Sequence, residues 1–417
     1  MIQAIRSWSL LTLVALLLAV SNVSVGAQAH DSALGDVAAA PAGNVPSDAL
    51  DFLPASTIKA GPAPLPAITH QLSVPLNQRV VSYIELFQGR MRSFIEEGMK
   101  NGSKYLPMIQ RIFTAQGLPP ELAYVPLVES AFRPEAMSHA SAKGVWQFMK
   151  STAVENGLRN DWYVDERSNP EKATIAAANY LRSLADTFNG DWQLALASYN
   201  SGPGRVQQAI KRVGVANFWS LAAKPTALPR ETREYVPMIL AAIVIARNPA
   251  QYGFNFQSEE APEFETVTLP RAVALKKVAE WSGSTVETLR ALNPELRRPV
   301  TPIKDADYAL RVPVGTSVEI ARRMDEAGGQ NLVSARSYTV RGGDTLPVVA
   351  RKLHISRSDL AESNGLDVTA HLSSGQELTV PADVPFVPYS EPVKSKATSK
   401  TSSKKVATAS AKKTASN

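Results

Sequence analysis

Apolar positions change texture three times along this chain. Residues 10–20 form an almost unbroken apolar run, residues 80–247 show helical spacing, and beyond residue 255 shorter strand-like and helix-like patterns alternate. Val81, Ile84, Phe87, Met91 and Phe94 recur with the helical period and predict a helix over 80–95. A second helix is expected over 105–115, ending at Gly117. Helices also fit 120–132, 142–156, 170–188, 191–200, 203–213 and 231–246, and nothing in this span reads as a strand of length. The unit 78–250 is therefore expected to be all-α.

One of these helices ends on a candidate for chemistry. Leu118, Leu122, Val125 and Phe132 share one face, and Leu122, Ala123, Val125, Leu127 and Val128 lead straight into Glu129. Pro119-Pro120-Glu121 suits a first turn, Pro126 kinks the helix or shortens its start, and Arg133-Pro134 stops it. Glu129 then lies in the last turn, where the helix dipole disfavours a negative charge. A partly buried Glu in that place has a raised pKa, as a general acid requires. A Glu on a helix rim facing water is the plain alternative.

Composition divides the rest. Residues 1–29 combine Arg6, the eleven-residue apolar run and small residues around Ala27 and Ala29. They read as a cleaved signal peptide, since a membrane span needs about 20 apolar residues. Residues 30–77 are rich in Pro, Ala, Gly and Ser and read as a spacer. Residues 391–417 are Ser, Thr, Ala and Lys with little to bury, and read as disordered. Seven lysines against Glu391 give this tail a charge of +6, equal to that of the whole chain. Export separates the tail from nucleic acid, leaving anionic wall polymers or membrane surfaces as partners, or a purely solubilising role.

Beyond residue 255 the chain repeats itself. At a shift of 71, Leu275, Val278, Ala279, Thr285, Leu289 and Asn293 fall on Leu346, Val349, Ala350, Ser356, Leu360 and Asn364. In the later copy Asp344 suits a cap for a helix from Thr345, and Ser356-x-x-Asp359 suits a capping box. In the earlier copy Arg271-Ala-Val273 replaces Gly342-Gly-Asp344, so that cap and the flexible turn are missing. Residues 315–336 are expected to be a connecting helix and linker, the helix ending at Gly328-Gly329.

Four separated motifs then fall in a recognisable order: Glu129-Ser130, Gly144-Val-Trp-Gln147-Phe-Met149, Leu196-Ala-Ser-Tyr199-Asn200-Ser-Gly202-Pro-Gly204, and Glu231-Thr-Arg-Glu-Tyr235-Val. In order and spacing they resemble the family-1 lytic transglycosylases, over roughly residues 80–247. The resemblance implies a goose-type lysozyme (SLT) fold and action on peptidoglycan strands of GlcNAc and MurNAc. The stretch Tyr338-Thr-Val-Arg-Gly-Gly343-Asp344-Thr345-Leu to Pro381 resembles the LysM module, which implies a β-α-α-β unit binding GlcNAc-containing glycans. Residues 337–382 are expected as such a module, and 264–314 as a degenerate one with uncertain glycan binding.

The resemblance also distributes roles. Glu129 matches the single acid/base, which protonates the bridging oxygen and then takes the proton of the muramoyl 6-hydroxyl, giving a 1,6-anhydro end. Ser138 matches a hydroxyl held near that Glu, Gln147 and Met149 match sugar-subsite residues, and Tyr199, Asn200 and Tyr235 match a polar wall near the scissile bond. Gly343, Asp344, Thr345 and Asn364 are the LysM glycan candidates. The tyrosines fit core phenols equally well, Met149 plain packing, and Ser138, Gln147 and Asn200 turn or cap roles. Ser141, Lys150 and Asn169 stand where the family more usually has Gly, Pro and Asp. No cofactor or metal is expected, since His30, His70, His139, His354 and His371 are scattered and cysteine is absent. Without cysteine the acylated lipoprotein anchor of related enzymes cannot form, so a periplasmic, wall-associated enzyme is expected. A lysozyme-like hydrolase and a non-catalytic wall-binding protein are the other readings. The hydrolase would need a second carboxylate, for which Glu135, Asp161, Asp165 and Glu166 are nearest in sequence.

Overall fold

The computed structural model describes residues 72–381, apart from 304, 306, 331 and 334. The signal peptide expected at 1–29, nearly all of the 30–77 spacer and the 391–417 tail lie outside the described residues. The chain divides into two compact units, one running to Arg336 and one covering Ser337–Val380. Among the described residues no helix is long and apolar enough to cross a membrane.

The first unit begins with a helical array. Its elements are α1 (Gln78–Gln88), α2 (Arg92–Gly102), α3 (Leu106–Ala115), α4 (Val125–Ser130), α5 (Lys150–Glu155), α6 (Pro170–Thr187), α7 (Trp192–Ser201), α8 (Pro203–Val213), α9 (Phe218–Ala222) and α10 (Arg230–Arg247). Among the described residues of this array, β-pairing is confined to isolated bridges. Helix α10 is the central rod. Tyr235, Val236, Ile239, Leu240, Ala241 and Ile243 are fully buried on it, and it packs against α1, α4 and α7. Helix α6 starts as its sequence dictates, with Pro170 in the first turn and Asn169 Oδ1 accepting from the amides of Glu171 and Lys172.

Three expectations need correction. The helix over 80–95 is two helices, because the chain breaks at Gly89 before Arg92 restarts it. The helix over 142–156 is only α5. Gly144 and Gln147 take φ of +85° and +49°, and Lys143 exchanges bonds with Phe148, so 136–148 is a closed loop. The element over 120–132 is a 3₁₀ turn (Pro120–Tyr124) followed by the six residues of α4, Pro126 having shortened its start.

A β-α-α-β module completes this unit: β1 (Glu265–Leu269), α11 (Leu275–Ser282), α12 (Val286–Leu292) and β2 (Tyr308–Val312). The strands pair antiparallel with Glu265 opposite Val312, and Val267 and Leu269 alternate inward. The segment expected to connect the two modules is part of this one. Helix α13 (Ser317–Glu326) packs on β1 and α11 with Ile320 and Met324 buried.

The second unit repeats the plan with β3 (Ala335–Thr339), α14 (Leu346–Lys352), α15 (Arg357–Asn364) and β4 (Glu377–Pro381). Val340, Leu346, Val349, Leu360, Leu378 and Val380 form its core. Ser356 Oγ accepts from the Asp359 amide, the expected cap. Asp344 does not cap α14, which begins after Thr345 with no side-chain bond. Its carboxylate takes the Tyr338 hydroxyl (2.6 Å), the Arg341 amide (3.0 Å) and Lys352 Nζ (2.7 Å) instead.

Asn364 also has another task than glycan binding. Its Nδ2 donates to the carbonyls of Leu360 (2.8 Å) and Thr379 (3.1 Å), and its Oδ1 accepts from the Thr379 amide (2.8 Å). Asn293, its repeat mate, ties Leu289 to Arg311 with the same three bonds. The repeated Asn is thus a helix-to-strand tie. Three such bonds at about 1 kcal/mol each predict that Asn364→Ala destabilises the second unit by about 2–4 kcal/mol. Urea unfolding followed in that unit checks this, and a normal midpoint with weakened glycan binding would contradict it.

Candidate active site

Glu129 sits one residue before the end of α4, a helix too short to persist alone. Its neighbours hold it. Ser130 Oγ donates to the Val145 carbonyl (2.8 Å), and Arg133 Nε donates back to the Ser130 carbonyl (3.1 Å). Ala131 and Phe132 then take φ of +52° and +57°, a left-handed pair without glycine. Such residues cost about 1–3 kcal/mol each and persist where surroundings over-determine them. Here Phe132 is buried against Gly102, whose Cβ position lies 2.6 Å from the ring, and Asn101 Nδ2 donates to the Ala131 carbonyl. The tight reversal turns the chain away directly after the carboxyl.

Glu129 itself is half-buried, between the buried Val128 and Ser130. The Tyr235 hydroxyl, from the buried middle of α10, donates to its Oε1 at 2.5 Å. Burial pushes the Glu129 carboxyl up from 4.5 to about 7, the Tyr235 bond opposes this, and the charge of Glu231 adds to it. Burial, with Glu129 beside them, raises Tyr199 and Tyr235 well above the ordinary phenol value, so both remain neutral donors. The result is a carboxyl protonated up to about neutrality, with one oxygen fixed by a phenol.

The other expected residues are distributed around this centre. Tyr199 donates to the Trp146 carbonyl (2.8 Å) and joins Phe148 and Tyr180 in an aromatic cluster, its centroid 5.5 Å from that of Tyr180. Asn200 Oδ1 accepts from Thr232 Oγ1 (2.8 Å), tying α7 to α10. Gln147 Nε2 donates to the carbonyls of Ala136 (3.1 Å) and Gly144 (2.9 Å), and Ser138 Oγ accepts from the Ala142 amide (3.0 Å). These last two therefore shape the 136–148 loop. Met149 is exposed at its end. In the second unit Gly343 makes a turn at φ +82°, Asp344 has the three partners given above, and Thr345 precedes α14.

The carboxylates weighed for a second catalytic role are otherwise engaged. Asp165 accepts from Arg167 Nε and Nη2 at 2.9 Å and lies 3.3 Å from Lys143. Burial opposes its ionisation, but those cations outweigh burial and hold the carboxyl below its ordinary range. Asp161 accepts from the amides of Tyr163 and Val164, and Glu166 from the Arg159 amide and Lys172. Glu135 is exposed just ahead of the loop. Among the described residues no group of three or more His, Cys, Asp or Glu could hold a metal ion.

Sequence reasoning gave no role to three residues that matter here. Glu231 supports the raised Glu129 pKa, Thr232 orients Asn200, and Arg167 holds the loop by donating to the carbonyls of Ser141 (2.8 Å) and Phe148 (3.0 Å). Glu231 and Thr232 stood inside a quoted motif. The burial of Arg167, beside Asp165 and within reach of the loop carbonyls, was not visible in the sequence.

A short helix presenting a phenol-bonded carboxyl of raised pKa within a helical array fits the lysozyme-like class of domain. Residues 108–221 match the transglycosylase SLT domain, 263–326 the LysM-like domain of lytic transglycosylase MltD, and 338–381 the LysM domain. Over 327 residues the chain is 33% identical to membrane-bound lytic murein transglycosylase D of Escherichia coli strain K12, covering 75% of this chain and 71% of that one. It is 41% identical over 106 residues to the peptidoglycan transglycosylase gp16 of Escherichia phage T7, covering 25% of this chain and 8% of that one. The lytic transglycosylase Slt of Pseudomonas aeruginosa, solved as an inactive mutant, matches at 29% identity over 35% of this chain and 24% of that one, with a TM-score of 0.30. The chain belongs to the lytic murein transglycosylase D family, with an SLT catalytic domain and LysM modules.

The raised carboxyl has a stability consequence. The folded chain keeps a proton on Glu129 that the unfolded chain releases, so this stabilisation is complete below about pH 4.5 and lost as pH rises through about 7. At about 1.4 kcal/mol per unit, the wild type should lose roughly 3 kcal/mol relative to Glu129→Gln between pH 4.5 and pH 8. Urea unfolding of both proteins at the two pH values measures it. A difference that does not change with pH would contradict the assignment.

Proposed function

We propose that Glu129 is the single acid/base of a lytic transglycosylase that cleaves the MurNAc-β-1,4-GlcNAc bond of peptidoglycan. The observation that carries this reading is the Glu129–Tyr235 pair, a carboxyl neutral to about pH 7 and oriented through one oxygen. In the first step the carboxyl gives its proton to the bridging oxygen, the bond to C1 breaks, and the GlcNAc 4-hydroxyl leaves. The positive charge at C1 is shared with the substrate's own N-acetyl carbonyl. In the second step the muramoyl 6-oxygen bonds to C1 and its proton goes to the Glu129 carboxylate. Glu129 is restored, no water is consumed, and the product carries a 1,6-anhydro end.

The surrounding residues take roles consistent with their positions. Tyr235 keeps the carboxyl in one rotamer and stabilises the carboxylate between the two steps. Gln147, Met149, Tyr199 and Asn200 line the sugar subsites, and Ser138 keeps the loop edge in shape. In the second unit Gly343, Asp344 and Thr345 form the glycan-facing turn. Export through residues 1–29 brings the enzyme to the periplasm, and residues 338–381 hold it on the wall. The basic tail adds attraction to anionic wall or membrane surfaces. Support for a single-carboxyl mechanism is that Asp161, Asp165 and Glu166 are all committed to other partners.

Glu129→Gln keeps the shape but has no proton to transfer. Loss of general acid catalysis costs about 10² to 10⁴ in rate, and the upper end is expected because the same group also acts as base. The wild-type rate should fall as pH rises through about 7, since the acid form is the protonated one. Mass spectrometry of fragments from purified sacculi should show 1,6-anhydro ends. Reducing muramic ends would make the enzyme a hydrolase, and undiminished cleavage by the Gln variant would move the chemistry to another group.

A further inference from the structure

The module at 263–326 lies against the segment 159–171, which crosses directly behind the active-site loop. Val164 bridges Leu296, the Arg297 amide donates to the Tyr163 carbonyl (2.9 Å), and the Asp165 amide donates to the Glu295 carbonyl (2.8 Å). The Arg298 guanidinium stacks 3.3 Å over the Trp162 ring, Arg159 pairs with Asp305, and Arg311 Nη2 reaches Glu171 at 3.2 Å. At the centre is a buried carboxylate. Glu295 is 5% exposed; its Oε1 accepts from Asn169 Nδ2 at 2.8 Å, and its Oε2 has no hydrogen-bond partner among the described residues.

Asn169 is the residue that makes this contact possible. Its Oδ1 caps α6 and its Nδ2 supports Glu295, so both ends of the amide are used. An Asp at this position would cap α6 equally well. It could not donate to Glu295, and it would set two carboxylates face to face with Arg311, whose Nη2 lies 3.4 Å from Asn169 Oδ1 and is shared with Glu171, to offset them. The chain thus matches an amide at 169 to a carboxylate at 295.

The other side of the segment carries the loop. Arg167 is fixed by Asp165 and donates from Nη1 to the carbonyls of Ser141 and Phe148. Gly144 packs so closely on the Arg167 carbonyl that a Cβ there would lie 1.7 Å away. Trp146, between them, carries the carbonyl bonded by Tyr199. A continuous path of bonds therefore joins Glu295, Asp165, Arg167 and the 136–148 loop.

We propose that the 263–326 module is the rear support of the catalytic cleft, docked through the Asn169–Glu295 pair and setting the 136–148 loop through Arg167. Asn169, Glu295 and Arg167 are positioning residues in this scheme, and the module's work is on the catalytic domain's own loop. This rests on the loop lining the glycan cleft, as proposed above.

Full-length Asn169→Asp, Glu295→Gln and the double variant test it, with soluble uncross-linked glycan strands as substrate and amide exchange of 136–148 as a second readout. Asn169→Asp should speed loop exchange about tenfold and lower kcat/KM by about tenfold, mainly through KM, with the pH midpoint unchanged. Glu295→Gln in that background restores a donor across the contact and should bring both readouts to within about twofold of wild type. Should Asn169→Asp not fold, recovery of folding in the double variant supports the proposal, and no recovery overturns it. Wild-type loop exchange and KM in Asn169→Asp would overturn it, as would a double variant no better than the single. A wild type that cleaves no glycan would defeat the catalytic reading, while the exchange data would still decide the docking.

Discussion

The hydrogen bond from Tyr235 to Glu129 joins two helices with very different support. Helix α10 is the buried rod of the domain, and α4 is a six-residue fragment bounded by a 3₁₀ turn and a left-handed reversal. The carboxyl is useful only if it stays out of water, because burial is what raises its pKa. It must also keep one oxygen occupied so that the other is aimed. Tyr235 meets the second need and slightly weakens the first, since its bond favours the ionised form. Burial outweighs it, as the proposed role of acid before cleavage and base after it requires.

Much of the surrounding structure keeps α4 in place. The left-handed pair Ala131–Phe132 stores strain that Gly102, Asn101 and Ser130 hold down. The bond from Ser130 to Val145 passes the constraint to the 136–148 loop, and the loop is fixed again by Tyr199 at Trp146 and by Arg167 at Ser141 and Phe148. The geometry around Glu129 comes from hydrogen-bond circuits across five chain segments, not from one rigid helix. Preorganisation of this kind supplies much of an enzyme's rate through orientation.

Local signals carried part of this into the sequence. The apolar run ending on Glu129, the proline at 126 and the helical period of α6 to α8 and α10 are short-range features, and they were readable. The 142–156 helix was misread because Gln147 looks helix-compatible, while its φ of +49° is imposed by bonds to Ala136 and Gly144. Asp344 looked like a cap and became the centre of a Tyr338–Lys352 cluster, and the helix-to-strand bonds of Asn364 were not visible at all. The Tyr235–Glu129 and Asn169–Glu295 pairs join residues 106 and 126 positions apart, and no periodicity encodes such meetings. What Asn169 does beyond capping α6 depends on Glu295, a residue of the distant module.

The proposed chemistry depends on the protonation state of one side chain. Carbon-13 NMR of the labelled Glu129 side-chain carboxyl, assigned by its loss in Glu129→Gln, reads that state directly. A titration midpoint near pH 7, moving upward in Tyr235→Phe as the opposing hydrogen bond is removed, is the predicted result. A midpoint near the ordinary 4.5, indifferent to Tyr235, would contradict it.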